Sequence, residues 1–389
     1  MKGLSFRVIS TILAISISLI LLEVLLRIYN PFFFSIRGSN FVPPTNTKYI
    51  YENIKISGVS DEITISKNSL GFRGEEPPIN FDEYFTILAV GGSTTESVYN
   101  SDGGDWPNLV SDNLKQKFSN IWVNNAGFNG HSTFAHLLVM RDSVVKIKPK
   151  LVLFLIGVND IGDSWSVNGT AGLRDWDKKY FNYNQTPKDS LSLEDFFWDM
   201  GEYSEVSALL ASYIKRNKAI SKGLITEEFG DVGHRDYIPK KILDLEDSYI
   251  ERSIAWHKEN YIPDYSKRIE KLISISKNNN ITPIFITQPA LYGNLIDPTS
   301  GVNLAKMKIN DGVNGELAWK ILQLYNSITK KIGNQNNIFV IDLASEMPKD
   351  SKYYYDPIHY TDLGSKEISN VISRHLINYL SSNFLINEH

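Results

Sequence analysis

The chain of 389 residues contains no cysteine, which removes disulfide frameworks, thiol catalysis and cysteine-ligated metals together. It has no excess of positive charge either. With 40 Lys and Arg against 44 Asp and Glu the formal charge is −4, so it lacks the electrostatic footprint of a nucleic-acid partner. Internal repeats and low-complexity tracts are absent from the sequence. What remains is an ordinary globular composition, 42% hydrophobic and 22% charged, which supports a substantial core and argues against disorder. The length fits one large domain or two ordinary ones.

Long apolar runs are scarce, and the one at the amino terminus stands out. Val8 to Leu22 carries no charge, and Val24 to Leu26 continues it. About 20 helical residues at about 1.5 Å each cross a hydrocarbon core of about 30 Å. Glu23 sits near the far end, with Arg27 four residues on along the same helical face, so the two can pair at the interface. No small-x-small cleavage site follows; the next residues are RIYNPFFF. The run therefore reads as an uncleaved anchor, with a cleaved signal peptide and a soluble amphipathic helix as rival readings. Lys2 and Arg7 precede the span, which favours a cytoplasmic amino terminus and an extracytoplasmic body, periplasmic or at the cell surface. Arg27 and Arg37 on the other side count against that orientation.

The expected organisation is an anchor over 1–29, a juxtamembrane stalk over 30–83, and a body over 84–385. The stalk is rich in Pro, Asn and Thr and holds the strand-like EITIS and the turn-like NSLGFRGEEPP. In the body, short apolar runs rich in Val, Ile, Leu and Phe predict strands over 86–92, 121–127, 150–160, 281–290 and 337–344. Amphipathic patterns predict helices near 105–118, 132–147, 260–278, 315–332 and 362–381. Together they predict a parallel, doubly wound α/β sheet of three layers. Residues 162–255 break the rhythm as an insertion carrying Trp165, Trp176, Tyr180, Phe181, Phe196, Phe197 and Trp198; it reads as a helical subdomain or as a lid. The sequons at Asn168 and Asn184 are too common by chance to use.

The first strand of the body ends in GGSTTE. A phosphate-cradling loop would need a lysine beside the hydroxyl, or a third glycine opening a helix. Neither follows, and Glu96 would repel a phosphate. The alternative is a turn that presents Ser93 as a nucleophile, which requires a base and oxyanion donors from elsewhere in the chain. YYYDPIHYTDLG supplies Asp356 and His359 three residues apart, ahead of the last helix. A carboxylate there can fix one ring nitrogen while the other takes a proton from Ser93. NNAGFNGHST places Gly130 in a turn after the second strand, where a backbone N–H can face outward, and IGVND ends the third with the amide of Asn159. In a sheet of order 2-1-3-4-5, Ser93 and Asn159 stand at the two strand ends flanking the switch point. Read for structure alone, Gly91 and Gly92 permit a tight turn, and Asn159 and Asp356 cap turns. His131 and His136 are five apart, a poor spacing for one helix face, and are read as non-metal.

These four blocks, in this order, resemble the SGNH (GDSL-type) hydrolase family over residues 84 to about 381, apart from the insertion. The resemblance implies a flavodoxin-like fold with Ser93 as nucleophile, His359 and Asp356 as the final dyad, and Ser93, Gly130 and Asn159 as the oxyanion hole. Gly92 stands where the family usually has aspartate, which is similar to membrane-anchored bacterial members, as is NSLGFRG ahead of the core. It further implies ester hydrolysis through an acyl-enzyme without cofactor or metal. The implied substrates are O-acyl, especially acetyl, groups on an envelope polysaccharide or glycolipid, the partners thus being an acylated carbohydrate or lipid and the membrane. An O-acyltransferase with the same residues, and a catalytically silent polysaccharide-binding or assembly protein, stay open as alternatives. Oligomeric state is left open by the sequence.

Overall fold

Continuous runs of apolar residues can be satisfied in a sheet only if helices cover both faces, and five such runs pair side by side in a computed structural model of the chain. The structure describes residues 2–29, 36–37, 40–161, 196–197, 200–201, 203–221 and 238–386. Two compact units emerge, one of residues 1–44 with 180–231 and one of 45–179 with 232–389.

In the first unit, helix α1 (Lys2–Ile28) carries the segment Arg7–Ile28, 22 residues long and apolar enough by length and composition to cross a membrane. The short strands β1 (Ile36–Arg37) and β2 (Asn40–Phe41) pair antiparallel. Arg27 Nε lies 2.8 Å from the Glu23 carboxylate. That carboxylate has a second use which the sequence does not announce. It accepts from Ser204 Oγ at 2.9 Å and from the backbone N–H of Glu205 and Val206 at 3.1 Å each, and so caps the helix Glu205–Ser221. Arg27 Nη2 adds a bond to the Tyr203 carbonyl at 2.8 Å.

The second unit begins with a hairpin of β3 (Thr47–Tyr51) and β4 (Ile63–Lys67), in the register Thr47↔Lys67 to Tyr51↔Ile63. Ile63 and Ile65 turn inward with Ile54, Ile56 and Tyr355 to form one apolar cluster. Much of the segment expected as a stalk thus packs into this unit from residue 45 onward. The central sheet follows, with β5 (Phe85–Gly91), β6 (Ile121–Gly127), β7 (Leu151–Ile156), β8 (Thr282–Thr287) and β11 (Val340–Ile341) in the order β11-β8-β7-β5-β6, all parallel. A separate small ladder pairs β9 (Lys308–Asn310) with β10 (Val313–Asn314). Every residue of β6 and β7 is buried, as strands covered on both faces must be.

Three predicted elements come out shorter. The third strand stops at Ile156 because Gly157 turns out at φ 123° into a helical turn; the fourth stops at Thr287, just before Gln288 and Pro289; and the fifth keeps only Val340 and Ile341. The expected helix over 132–147 is interrupted by a π-helical turn at Met140–Val144. The helix Asp247–Asn260 begins inside the region read as an insertion, runs past its end at residue 255 and packs in the second unit, where His257 Nδ1 is 3.2 Å from Tyr325 Oη. Trp165, Trp176, Tyr180, Phe181, Trp198 and both sequons lie outside the described residues. Phe196 and Phe197 meet edge to face at 5.6 Å.

Candidate active site

Because β5 is flanked by β6 on one side and β7 on the other, the chain leaves it in one direction and later returns on the opposite side. The carboxyl ends of β5 and β7 therefore border the crevice that parallel sheets use for ligands. Helices α2 (Ser93–Glu96), α3 (Trp106–Lys115), α4 (Thr133–Val139) and the helical turn Val158–Ile161 follow strands or loops at this end.

Ser93 is the first residue of α2, so its N–H is among the first-turn groups that have no intrahelical acceptor. Close approach explains the glycines around it. A Cβ on Gly91 would lie 2.0 Å from Thr95 Oγ1, and one on Gly127 would lie 2.4 Å from the Glu96 nitrogen. At Gly92 a Cβ would lie 2.2 Å from Asn159 Nδ2 and 3.0 Å from the His131 carbonyl. A side chain at position 92 would therefore press on the Asn159 amide unless that amide shifted.

The loop ahead of the last helix is bent by its own carboxylate. Asp356 Oδ1 accepts from the N–H of Ile358 and of His359 at 2.8 Å each, and Oδ2 is 2.6 Å from His359 Nδ1. His359 Nε2 is 2.8 Å from Ser93 Oγ. Burial alone would raise the Asp356 carboxyl; the facing imidazole and the two backbone N–H groups outweigh it and hold it below the ordinary carboxylate range. Tyr355 stacks on the imidazole with 5.6 Å between centroids, and its own ring belongs to the cluster under the β3–β4 hairpin. Hydroxyl, imidazole and carboxylate are thus joined in a line able to move a proton off Ser93.

Gly130 occupies the turn closed by the His131 N–H on the Phe128 carbonyl at 3.1 Å, with φ 74°, a left-handed conformation suited to glycine. Asn159 Nδ2 donates to the His131 carbonyl at 3.0 Å, which commits one of its two amide hydrogens and ties the end of β7 to the Gly130 loop. Asp160, missed by sequence reasoning, strengthens that tie. Its carboxylate accepts from the Thr133 N–H at 3.2 Å and from Thr133 Oγ1, and it pairs with Arg268 Nη2 at 3.1 Å, while Arg268 Nε donates to Thr133 Oγ1 at 2.7 Å. Arg268 lies 108 residues further along the chain, so no local pattern could have disclosed it.

His136 lies behind this layer, fully buried, its ring 6.4 Å from that of His131. Burial pushes its pKa from 6.5 down to about 4, although the Asp160 charge and the Gly91 carbonyl pull the other way. Between those two values the unfolded chain takes up a proton that the folded one does not. Stability conferred by the neutral ring is therefore complete above about pH 6.5 and lost progressively toward about pH 4, a span of roughly 3 kcal/mol. Urea unfolding at pH 8 and pH 5 is expected to show a smaller loss for His136→Phe than for the parent; equal losses would contradict this assignment. Among the described residues no group of three or more His, Cys, Asp or Glu is arranged to hold a metal ion.

Residues 89–223 match the model of the GDSL-like Lipase/Acylhydrolase family. That span includes Ser93, Gly130 and Asn159 and ends before Asp356 and His359. No curated protein matches the chain. Solved structures similar to it include an acetylxylan esterase from Geobacillus stearothermophilus, 13% identical over 75% of this chain and 93% of its own, with a TM-score of 0.40. Another is a lipase/acylhydrolase from Enterococcus faecalis, 13% identical over 78% and 98%, with a TM-score of 0.40. A third, described as a putative acylhydrolase from Bacteroides fragilis, is 16% identical over 79% and 91%, with a TM-score of 0.37. Over residues 89–223, beginning inside β5 of the parallel sheet, the chain carries a GDSL-like lipase/acylhydrolase domain, and it is an ester-cleaving hydrolase.

Proposed function

We propose that the chain is a membrane-anchored serine esterase that removes acyl groups, above all acetyl, from hydroxyls of an envelope polysaccharide or glycolipid. The observation that carries the mechanism is the unbroken line from Ser93 Oγ through His359 to Asp356, at 2.8 and 2.6 Å. Ser93 Oγ attacks the ester carbonyl carbon as His359 Nε2 takes its proton. The resulting oxyanion is met by the N–H of Ser93 and Gly130 and by the second amide hydrogen of Asn159, the first being held by His131. Collapse breaks the bond to the sugar oxygen, which receives the proton from His359, and leaves Ser93 acylated. Water then adds to the acyl carbon with His359 again as base. Expulsion of Ser93 Oγ, reprotonated by His359, releases the carboxylic acid. Asp356 keeps the imidazole in its tautomer and stabilises the imidazolium.

The substrate class rests on reach. A body tethered by the helical segment Arg7–Ile28 meets acyl esters at the membrane surface and in the envelope beyond it. In this reading the body is extracytoplasmic, the side that Lys2 and Arg7 ahead of the segment favour. The test is acetate release from an O-acetylated polysaccharide by the full chain in detergent. The parent is expected to release acetate steadily in water and Ser93→Ala none. Acetyl transfer that appears only when an acceptor sugar is added would instead assign the same residues to a transferase.

A further inference from the structure

The motif NSLGFRG, residues 68–74, takes no part in the hydrolytic set, yet its arginine is fully buried. A buried guanidinium persists only where acceptors and counter-charge surround it. Nη1 of Arg73 donates to the backbone carbonyls of Glu96 at 2.5 Å and Ser97 at 2.8 Å, and Nη2 donates to that of Asn100 at 2.7 Å. The carboxylates of Asp102 and Asp105 each lie 3.5 Å from Nη2. All three carbonyls belong to the end of α2 and the turn that leaves it.

That turn needs an external hold. A helix of four residues is too short to sustain itself, and its last carbonyls have no intrahelical donors. Ser97, next in the chain, is left-handed at φ 53° without being glycine, a conformation that surrounding structure must impose. Arg73 is itself fixed, since its N–H donates to the Asn125 carbonyl at 3.0 Å and its carbonyl accepts from the Asn125 N–H at 2.9 Å. Its side chain therefore ties the end of α2 to β6. The Ser97 N–H in turn donates to the Ser93 carbonyl at 2.8 Å, so the held carbonyls and Ser93 share one hydrogen-bonded turn. His359 is fixed by Asp356 of its own loop, and the same Arg73-held turn meets the start of the helix that follows, where Asn100 Nδ2 donates to Asp362 at 2.8 Å.

We infer that Arg73 is a positioning residue that sets the distance between Ser93 and His359. The inference rests on the reading of Ser93 as nucleophile. Losing the guanidinium loosens the turn that carries Ser93 and so the 2.8 Å contact to His359, and small displacements of reacting groups are costly in rate. The test uses a serine-directed phosphonate to count active sites in the full chain, and kcat per titrated site as the readout. Arg73→Lys retains a cation opposite Asp105, but one ammonium cannot serve three carbonyls, so a fall of about 10-fold is expected, and about 100-fold for Arg73→Gln. KM should stay within about twofold, and the shape of the pH profile should not change, because the Asp356–His359 pair is untouched. Unchanged kcat per titrated site with only a lowered Tm would overturn the inference, as would failure of both variants to yield any titratable protein, which would make Arg73 a requirement for folding. If the phosphonate on the parent maps away from Ser93, the nucleophile reading fails first; if it maps to Ser93 while Arg73→Lys turns over normally, only the role of Arg73 fails.

Discussion

Ser93→Ala and His359→Ala are each expected to lower kcat on a chromogenic acetate ester by about 10⁶-fold, and the double variant by no more than either alone. The reason is that hydroxyl and imidazole act as one unit. Without the base the hydroxyl keeps its proton, and without the hydroxyl the base has nothing to activate. Asp356→Asn is expected to fall less far, by about 10⁴-fold. The amide would still accept from the backbone N–H groups of Ile358 and His359, but it cannot hold the His359 ring as a donor at Nδ1 or balance an imidazolium. Turnover of Ser93→Ala within a few fold of the parent would remove the mechanism.

The second large effect concerns Asn159. If its free amide hydrogen meets the developing oxyanion, Asn159→Ala should lower kcat by about 10²- to 10³-fold with little change in KM, because such a bond strengthens mainly in the transition state. The structure adds a second consequence. The same substitution breaks the 3.0 Å bond from Nδ2 to the His131 carbonyl, so a loss of stability of about 1 kcal/mol should accompany it. The two effects separate when kcat is expressed per folded molecule. A lowered Tm with unchanged kcat per folded molecule would reduce Asn159 to a brace between the end of β7 and the Gly130 loop.

Much of this fold is written in the sequence because parallel strands buried on both faces are nearly pure apolar runs, as LVLFLI of β7 shows. The candidate site is legible for a related reason. Its residues sit where such runs end, at Ser93, Gly130 and Asn159, or on a short Asp-x-x-His stretch whose geometry is local. What stayed hidden depends on contacts between distant segments. Thr47–Tyr51 is half exposed and alternates weakly, so it resembles linker until Ile63 and Ile65 of its partner strand are seen to close on Tyr355. Arg73 looks like a surface charge in a turn, because nothing within the motif reveals that the carbonyls of residues 96, 97 and 100 will surround it. Glu23 was readable as a partner of Arg27, being four residues away, but its capping of a helix some 180 residues later depends on tertiary structure alone. Gly92 reads in sequence as a turn residue, and only the structure shows the Asn159 amide in the space that a Cβ there would take.

The most direct test is to label the full chain with a serine-directed fluorophosphonate and map the modified residue by mass spectrometry of proteolytic fragments. A single stoichiometric adduct on Ser93 is predicted, abolished in Ser93→Ala and greatly slowed in His359→Ala, because the imidazole 2.8 Å away supplies the reactivity of the hydroxyl. An adduct on any other residue, or labelling of Ser93 at an undiminished rate without His359, would contradict it.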